Sequence, residues 1–561
     1  MPSLPPAVLR LSPVLCYIRR REDKKASGMS AYLFITGGVC SSLGKGVAAA
    51  SVGSLLESAG LRVALVKCDP YINVDSGNIS PYQYGEVYVT GDGAETHLDL
   101  GTFARFTQAV PTRDCSITAG QVYRAVIQNE REGRYNGRAV QVIPHITDEI
   151  KRRVLNAGMR SGADAVLVAI GGTVGDIESI PFLEAARQLI RERGRSAALS
   201  MHLTLVPALA GGEMKTKPTQ HAVKKMQESG IQPDILLCRS EAPLSEELRR
   251  KIALFCNVEA KAVFASPDVR RTVYELPVLF HEQGLDAEIL RRLGFADRRA
   301  DVSAWQDFLA RLDSPKARVC IGLVGRKNNL DDCYKSVREA LLHAAVSAHG
   351  AELSVRRIDA ESLEKEGDAY AVFAGVDGII LPGMHGQRGF LGLLAAVRYA
   401  REQRIPYLGI DLGMQLMAIE VARNLLDWEE ADSTEFVRNT AYPVVSLPEE
   451  QAGLSAAGML RLGAEPVALE KGSLLERAYR TGTVAERHRN KYAFDRRYAA
   501  DIESRGLRLS AFSPVGQTEA FEWARHPWGI GVQYHPEFAS RPSQPHPLFA
   551  AFIGAALGKA L

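Results

Sequence analysis

The chain has 561 residues, 46% of them hydrophobic, with 68 Lys plus Arg against 65 Asp plus Glu and a formal net charge of +3. That composition excludes a collagen-like, coiled-coil or wholly disordered chain, and the even charge argues against nucleic acid or an anionic membrane as the main partner. The eight cysteines form no C-x-x-C pair and all precede residue 334, which argues against zinc and a disulfide scaffold and fits a reducing, cytoplasmic compartment.

Residues 1–28 stand apart, with Pro2, Pro5, Pro6 and Pro13 beside the basic run Arg19-Arg20-Arg21. The positive charges follow the broken apolar stretch instead of preceding it, so a signal peptide is not expected. A disordered tail, or a misassigned start with Met29 as initiator, is expected instead. No run reaches the roughly 18 apolar residues of a membrane span. From Tyr32 the pattern becomes strand (32–36), glycine-rich turn (37–46), helix (47–59) and strand (63–67), with later strands at 165–170, 203–206 and 235–238. A second series starts near 317: strand 318–324, helix 331–348, strands 378–381 and 407–410. Such alternation predicts an α/β chain with mainly parallel sheets. Two large domains follow, 29–296 and 317–561, with the polar stretch 297–316 as linker.

Gly37-Gly38-Val39-Cys40-Ser41-Ser42-Leu43-Gly44-Lys45-Gly46 ends a strand and opens a helix. That context suits a P-loop-like phosphate cradle, where backbone N–H groups and the helix N-terminus face the anion and Lys45 reaches the phosphates. The spacing from Gly38 to Gly44 is one residue longer than the Walker pattern, and Gly46 stands where Ser or Thr is expected. Further polar clusters fall at strand ends, where α/β sheets place ligands: Lys67-Cys68-Asp69-Pro70, Gly171-Gly172-Thr173 with Asp176 and Glu178, and Lys215-Thr216-Lys217 with Gln220. The loop Asp92-Gly93-Ala94-Glu95-Thr96-His97-Leu98-Asp99 adds acids. Lysines beside acids suit a polyphosphate with Mg²⁺.

These motifs, with Gln141-Val142-Ile143-Pro144-His145-Ile146-Thr147, give the chain from Tyr32 onward a resemblance to the CTP synthase family. The resemblance implies a synthetase domain that uses ATP to phosphorylate O4 of UTP, after which ammonia displaces the phosphate to give CTP. It implies a class I glutamine amidotransferase domain that makes the ammonia, a tunnel between the two, and a homotetramer. Carried over by motif, Lys45, Lys67 and Asp69 would be catalytic. Ser41, Ser42, Gly44 and Gly46 would cradle ATP phosphates, and Arg239 would lie near the adenine. Asp99 would be a Mg²⁺ ligand. Asp176, Glu178, Lys215, Lys217, Gln220 and Lys251 would form the pyrimidine-nucleotide site. His535 and Glu537 match two triad members, and Glu435 and Arg489 match residues holding the amino-acid end of glutamine.

The second half departs from that pattern. Its G-x-C-x-G elbow reads Gly409-Ile410-Asp411-Leu412-Gly413, followed by Met414 and Gln415, so Asp411 takes the cysteine position. The expected oxyanion turn reads Pro382-Gly383-Met384-His385-Gly386, with Met384 for a glycine, and a Cβ there is expected to disturb the turn. In the first half Ala169 replaces the acid that the family carries before Gly171-Gly172, and Tyr84 stands where a His is usual. Three functions stay open: an ammonia-using CTP synthase-like ligase without glutaminase, a ligase joining a nucleotide to another nitrogen nucleophile, and a non-catalytic nucleotide-binding subunit.

Overall fold

A computed structural model describes residues 30–209, 211–326, 331–364, 371–448 and 460–559. The tail 1–28 and the expected initiator Met29 lie outside the described residues. The first sheet has seven strands, in spatial order Ser116–Thr118, Val63–Asp69, Ala165–Ile170, Ala31–Gly37, Ala198–Leu205, Ile235–Ser240 and Val263–Pro267. All neighbours run parallel. Ala31–Gly37 and Ala165–Ile170 are buried at every position, as expected of strands covered by helices on both faces. The strand expected at 203–206 instead runs Ala198–Leu205. Its buried Ser200, His202 and Thr204 break the apolar run that a sequence reading relies on. Helix Lys45–Ser58 has its small residues Ala48, Ala49, Ala50 and Gly53 buried, which lets it lie close to the sheet.

The second sheet has nine strands. Five parallel strands, Ala351–Asp359, Ala317–Gly325, Gly378–Leu381, Tyr407–Ile410 and Gly529–Val532, are extended by an antiparallel set, Thr518–Trp523, Leu507–Phe512, Arg461–Leu469 and Thr483–Asn490. The stretch 297–316, read as a linker, is not simply extended: it contains helix Ser303–Asp313. Phe308 is buried and Trp305 stacks on Tyr274, so an apolar face hidden among charges anchors the segment to the first half.

The halves are joined by buried polar contacts. The Tyr274 hydroxyl donates to Glu339 Oε2 at 2.7 Å, and Arg105 donates to Ser336 Oγ at 3.0 Å. The Glu86 carboxylate accepts the Ser336 backbone N–H at 2.8 Å and so satisfies a free donor at the start of helix Lys335–His343. Among the described residues, no helix is long and apolar enough to cross a membrane.

Candidate functional site

The phosphate-type loop follows the central strand Ala31–Gly37. Val39, Ser42 and Gly44 take φ of 74°, 60° and 90°, which turns the chain sharply into helix Lys45–Ser58. Lys45 Nζ donates to the Gly172 carbonyl at 2.7 Å and ties the loop to the neighbouring strand end. Arg239 Nη1 donates to the Ser42 carbonyl at 2.9 Å, so Arg239 lies against the same loop. Lys67 Nζ sits 2.6 Å from Asp99 Oδ2, with Lys67 buried and the Asp99 side chain 14% exposed. Burial alone would raise the Asp99 carboxyl, but Lys67, His97 and Lys45 bring it down to about 2. Burial and the neighbouring Lys67 charge lower Lys45 to about 8.

Gly46 explains the departure from the Walker pattern. A Cβ there would lie 2.1 Å from Asp99 Oδ1. The site thus exchanges a loop hydroxyl for a carboxylate at the start of helix Asp99–Phe106. Ala169 stands in register with both Lys67 and Ile35 and adds no oxygen to this cluster. Asp69 is buried beside Lys67, at the end of the same strand.

The residues expected to hold the pyrimidine nucleotide are less tightly assembled. The Asp176 carboxylate accepts the Thr173 N–H at 2.7 Å and closes its own loop. Lys215 pairs with Glu213, and Lys217 lies 5.8 Å from the centre of the Phe255 ring. Gln220 is buried and donates to Thr216 Oγ1 at 3.0 Å, a contact within its own helix end. Glu178 and Lys251 are exposed. Among the described residues no hydrogen bond or ion pair joins Asp176 or Glu178 to Lys215, Lys217 or Lys251.

In the second half, Asp411 sits between strand Tyr407–Ile410 and helix Leu412–Leu425 with φ 52° and ψ −106°. This is a strained conformation for a non-glycine residue, of the kind that lifts a side chain above a sheet. Its Oδ1 accepts from Gln533 Nε2 at 2.7 Å, and Gln415 Nε2 lies 3.3 Å from the Gln533 oxygen. Burial raises the Asp411 carboxyl from 3.8 to about 7, although His535 pulls it back. His535 Nδ1 is 2.8 Å from Glu537 Oε1. A Cβ on Gly383 would meet His535 Cε1 at 2.6 Å and Asp411 Cβ at 3.4 Å, so elbow, imidazole and turn converge on this glycine.

Two expectations are corrected here. Met384 takes no left-handed conformation: the positive φ of its turn falls on Gly386, at 89°. The extra Cβ therefore imposes no backbone strain, and the Met384 side chain packs against the core of the second half. Arg489 does not stand free for a ligand carboxylate. It pairs with Glu95 of the first half at 2.8 Å and lies 2.8 Å from His385 Nε2. Glu435 accepts the Gly386 N–H at 2.9 Å. The sequence marks Glu95 only as one acid of its loop and does not single out Glu86, Gln533 or Arg326, because their roles come from contacts with elements distant in the chain.

The sign of the Asp411 shift makes a stability prediction. An acid raised in the fold stabilises it most below its unfolded pKa of 3.8, and that contribution is gone once pH passes about 7. The gap corresponds to about 4 kcal/mol at ~1.4 kcal/mol per tenfold step. Asp411→Asn is therefore expected to raise the thermal midpoint at pH 8 and to leave it unchanged at pH 4, as read by scanning calorimetry.

A parallel-sheet synthetase half followed by a half with an amidotransferase elbow defines the class. Residues 31–295 match the family model "CTP synthase N-terminus", and residues 329–555 match "Glutamine amidotransferase class-I". The chain is 50% identical over 529 residues to a CTP synthase of Syntrophus aciditrophicus, covering 94% of this chain and 97% of the relative. It is 49% identical over 532 residues to a CTP synthase of Carboxydothermus hydrogenoformans, covering 94% and 99%. Among solved structures it is similar to the Trypanosoma brucei CTPS glutaminase domain with bound acivicin, at 34% identity and a TM-score of 0.41, over 43% of this chain and 95% of that one. The chain belongs to the CTP synthase family.

Proposed function

We propose that this chain makes CTP from UTP, ATP and free ammonia and hydrolyses no glutamine of its own. The observation that carries the reading is Asp411, a buried carboxylate on the strained elbow where this class carries its cysteine nucleophile. A thiolate attacks an amide, expels ammonia and forms a hydrolysable thioester, whereas a carboxylate is a weak nucleophile whose product would be an anhydride. The first half keeps the groups that ATP chemistry needs. Lys45 and Lys67 would neutralise phosphate oxygens during transfer to UTP O4, and ammonia would then displace that phosphate at C4. Asp176, Glu178, Lys215, Lys217, Gln220 and Lys251 would surround the acceptor nucleotide, Asp69 would line the transfer site, and Ser41 and Ser42 would meet the ATP phosphates.

Asp99 supplies one carboxylate, whose Oδ1 packs against Gly46 while Oδ2 is paired with Lys67. That fits Mg²⁺, which often uses one or two carboxylates plus substrate phosphates, and the ion would neutralise charge on the transferring phosphoryl group. A homotetramer belongs to the same proposal. Exposed Ile72, Ile177 and Ile180, beside the expected nucleotide residues, support a surface that a second copy covers.

Incubation with UTP, ATP and Mg²⁺ plus ammonia, glutamine or a panel of amines, followed by mass spectrometry, tests the proposal. CTP with ammonia alone is the expected product. A mass above CTP by an amine substituent selects the alternative ligase, and no ATP consumption with any donor selects a non-catalytic subunit. Gly46→Ala is expected to cut ammonia-dependent CTP formation at least tenfold with the circular dichroism spectrum unchanged, because its methyl group displaces the Asp99 carboxylate.

A further inference from the structure

Between the halves lies a cavity of about 290 Å³. Its first-half wall includes Pro81, Glu86 and Val87, and its second-half wall includes Arg326, His535 and Glu537. His535 and Glu537 are 7% and 5% exposed, and each holds one buried polar atom without a partner, His535 Nε2 and Glu537 Oε2. With Nδ1–H donated to Glu537 Oε1, neutral His535 presents Nε2 as an acceptor. Glu537 Oε2 is an acceptor, and the Glu86 carboxylate borders the same space. The unfilled hydrogen-bonding capacity of His535 and Glu537 is therefore acceptor capacity. The opposite need, for an acceptor-rich anion, falls on Arg326, whose Nε and Nη2 are also unpartnered; burial disfavours its charge, and Glu435, Glu361 and Glu364 favour it.

We propose that the His535–Glu537–Glu86 wall of this cavity binds a small ammonium ion, NH₄⁺ or a methylammonium-sized amine, and takes one proton from it. This rests on the ammonia-dependent reading above. An ammonium ion carries only N–H donors, and a buried unpaired carboxylate oxygen costs free energy that such a donor recovers. In the proton step an N–H bond of the ion breaks and its electron pair stays on nitrogen, leaving a neutral amine. The proton bonds to His535 Nε2, and the resulting imidazolium is held by Glu537 before it returns the proton to water. The neutral amine is the nucleophile that the synthetase half needs.

The groups facing His535 set its pH dependence. Glu537 and Asp411 favour the imidazolium, and Arg489 opposes it. Glu86 and Arg326 face it across the cavity, and Phe538 stacks on its ring at 5.2 Å. Burial alone would lower His535, but Glu537 and Asp411 raise it above 6.5. Ammonium uptake therefore strengthens as pH rises through that titration.

The test uses the full chain, with NH₄Cl kinetics at pH 8 and crystals soaked in RbCl, since Rb⁺ matches ammonium in charge and size. Glu537→Gln keeps the side-chain volume and removes the charge. The expected result is an anomalous rubidium peak beside Glu537 in the parent chain, lost in Glu537→Gln. The KM for ammonium should rise about tenfold in the variant. A purely structural role would lower kcat and the thermal midpoint together and leave KM unmoved, which overturns the proposal, as does a cavity without rubidium. A rubidium peak in a chain that makes no CTP from ammonia would keep the ion site and overturn the ammonia-ligase reading.

Discussion

With UTP, ATP and Mg²⁺, ammonia is expected to support CTP formation and glutamine to support less than about a thousandth of that rate. The chemistry sets the size of the effect. The last cysteine in the chain is Cys333, which borders the same cavity as His535 but donates to the Pro81 carbonyl at 3.4 Å, so the elbow itself carries no thiol. The Asp411 carboxyl is buried, accepts from Gln533 and is raised by burial to about 7, so acid and carboxylate coexist near neutral pH. A protonated acid is not a nucleophile, and an ionised one would place negative charge where an oxyanion must form. Coupled assay of glutamate release measures this directly. Asp411→Cys is expected to restore only a small part of a normal glutaminase rate. Met384 takes no positive φ, but Arg489, which resembles the glutamine-holding arginine, is committed to Glu95. Pairing Asp411→Cys with Glu95→Gln should therefore raise glutaminase further than either change alone. A full rate from Asp411→Cys by itself would overturn this account.

Asp99→Ala is expected to abolish ligase activity, by about 10³-fold or more, and to destabilise the first half by about 3–5 kcal/mol. The two losses have one cause. Lys67 is buried with its ammonium 2.6 Å from Asp99, so removing the carboxylate leaves a buried charge with only Asp69 nearby to answer it. The pH dependence follows from the depressed Asp99 carboxyl. Its stabilising contribution is complete above the ordinary value of 3.8 and is lost as pH falls through about 2. The parent and Asp99→Ala chains should thus differ most in urea unfolding at neutral pH and converge toward pH 2. Equal stability at pH 7 would show that Lys67 finds another partner.

Much of the first half is legible in its residues. The strand–turn–helix run from Ala31 to Ser58 reads directly, because a buried parallel strand is continuously apolar and a glycine, Gly44, takes the largest positive φ of the turn, although Val39 and Ser42 are positive too. The strand holding His202 begins before its apolar run, and the helix 303–313 sits in a charged stretch, for one reason. Polar side chains buried on a partner, and apolar ones hidden in a charged stretch, take their meaning from neighbours distant in sequence. Gly46 shows this in one residue. The sequence marks it only as a deviation from the Walker pattern, and the space taken by Asp99 gives the physical need for it.

The sequence by itself determined the two α/β halves, the family resemblance, and the replacement of a nucleophile by Asp411, because these depend on local pattern and residue identity. The structure alone decided that Asp99 is paired with Lys67, that Arg489 is held by Glu95, that Met384 adds no backbone strain, and that His535 and Glu537 border a cavity shared with Glu86. Each of these depends on a close approach between elements far apart in the chain. Charge and hydrogen-bond energies there are set by distance and burial, which residue order does not contain.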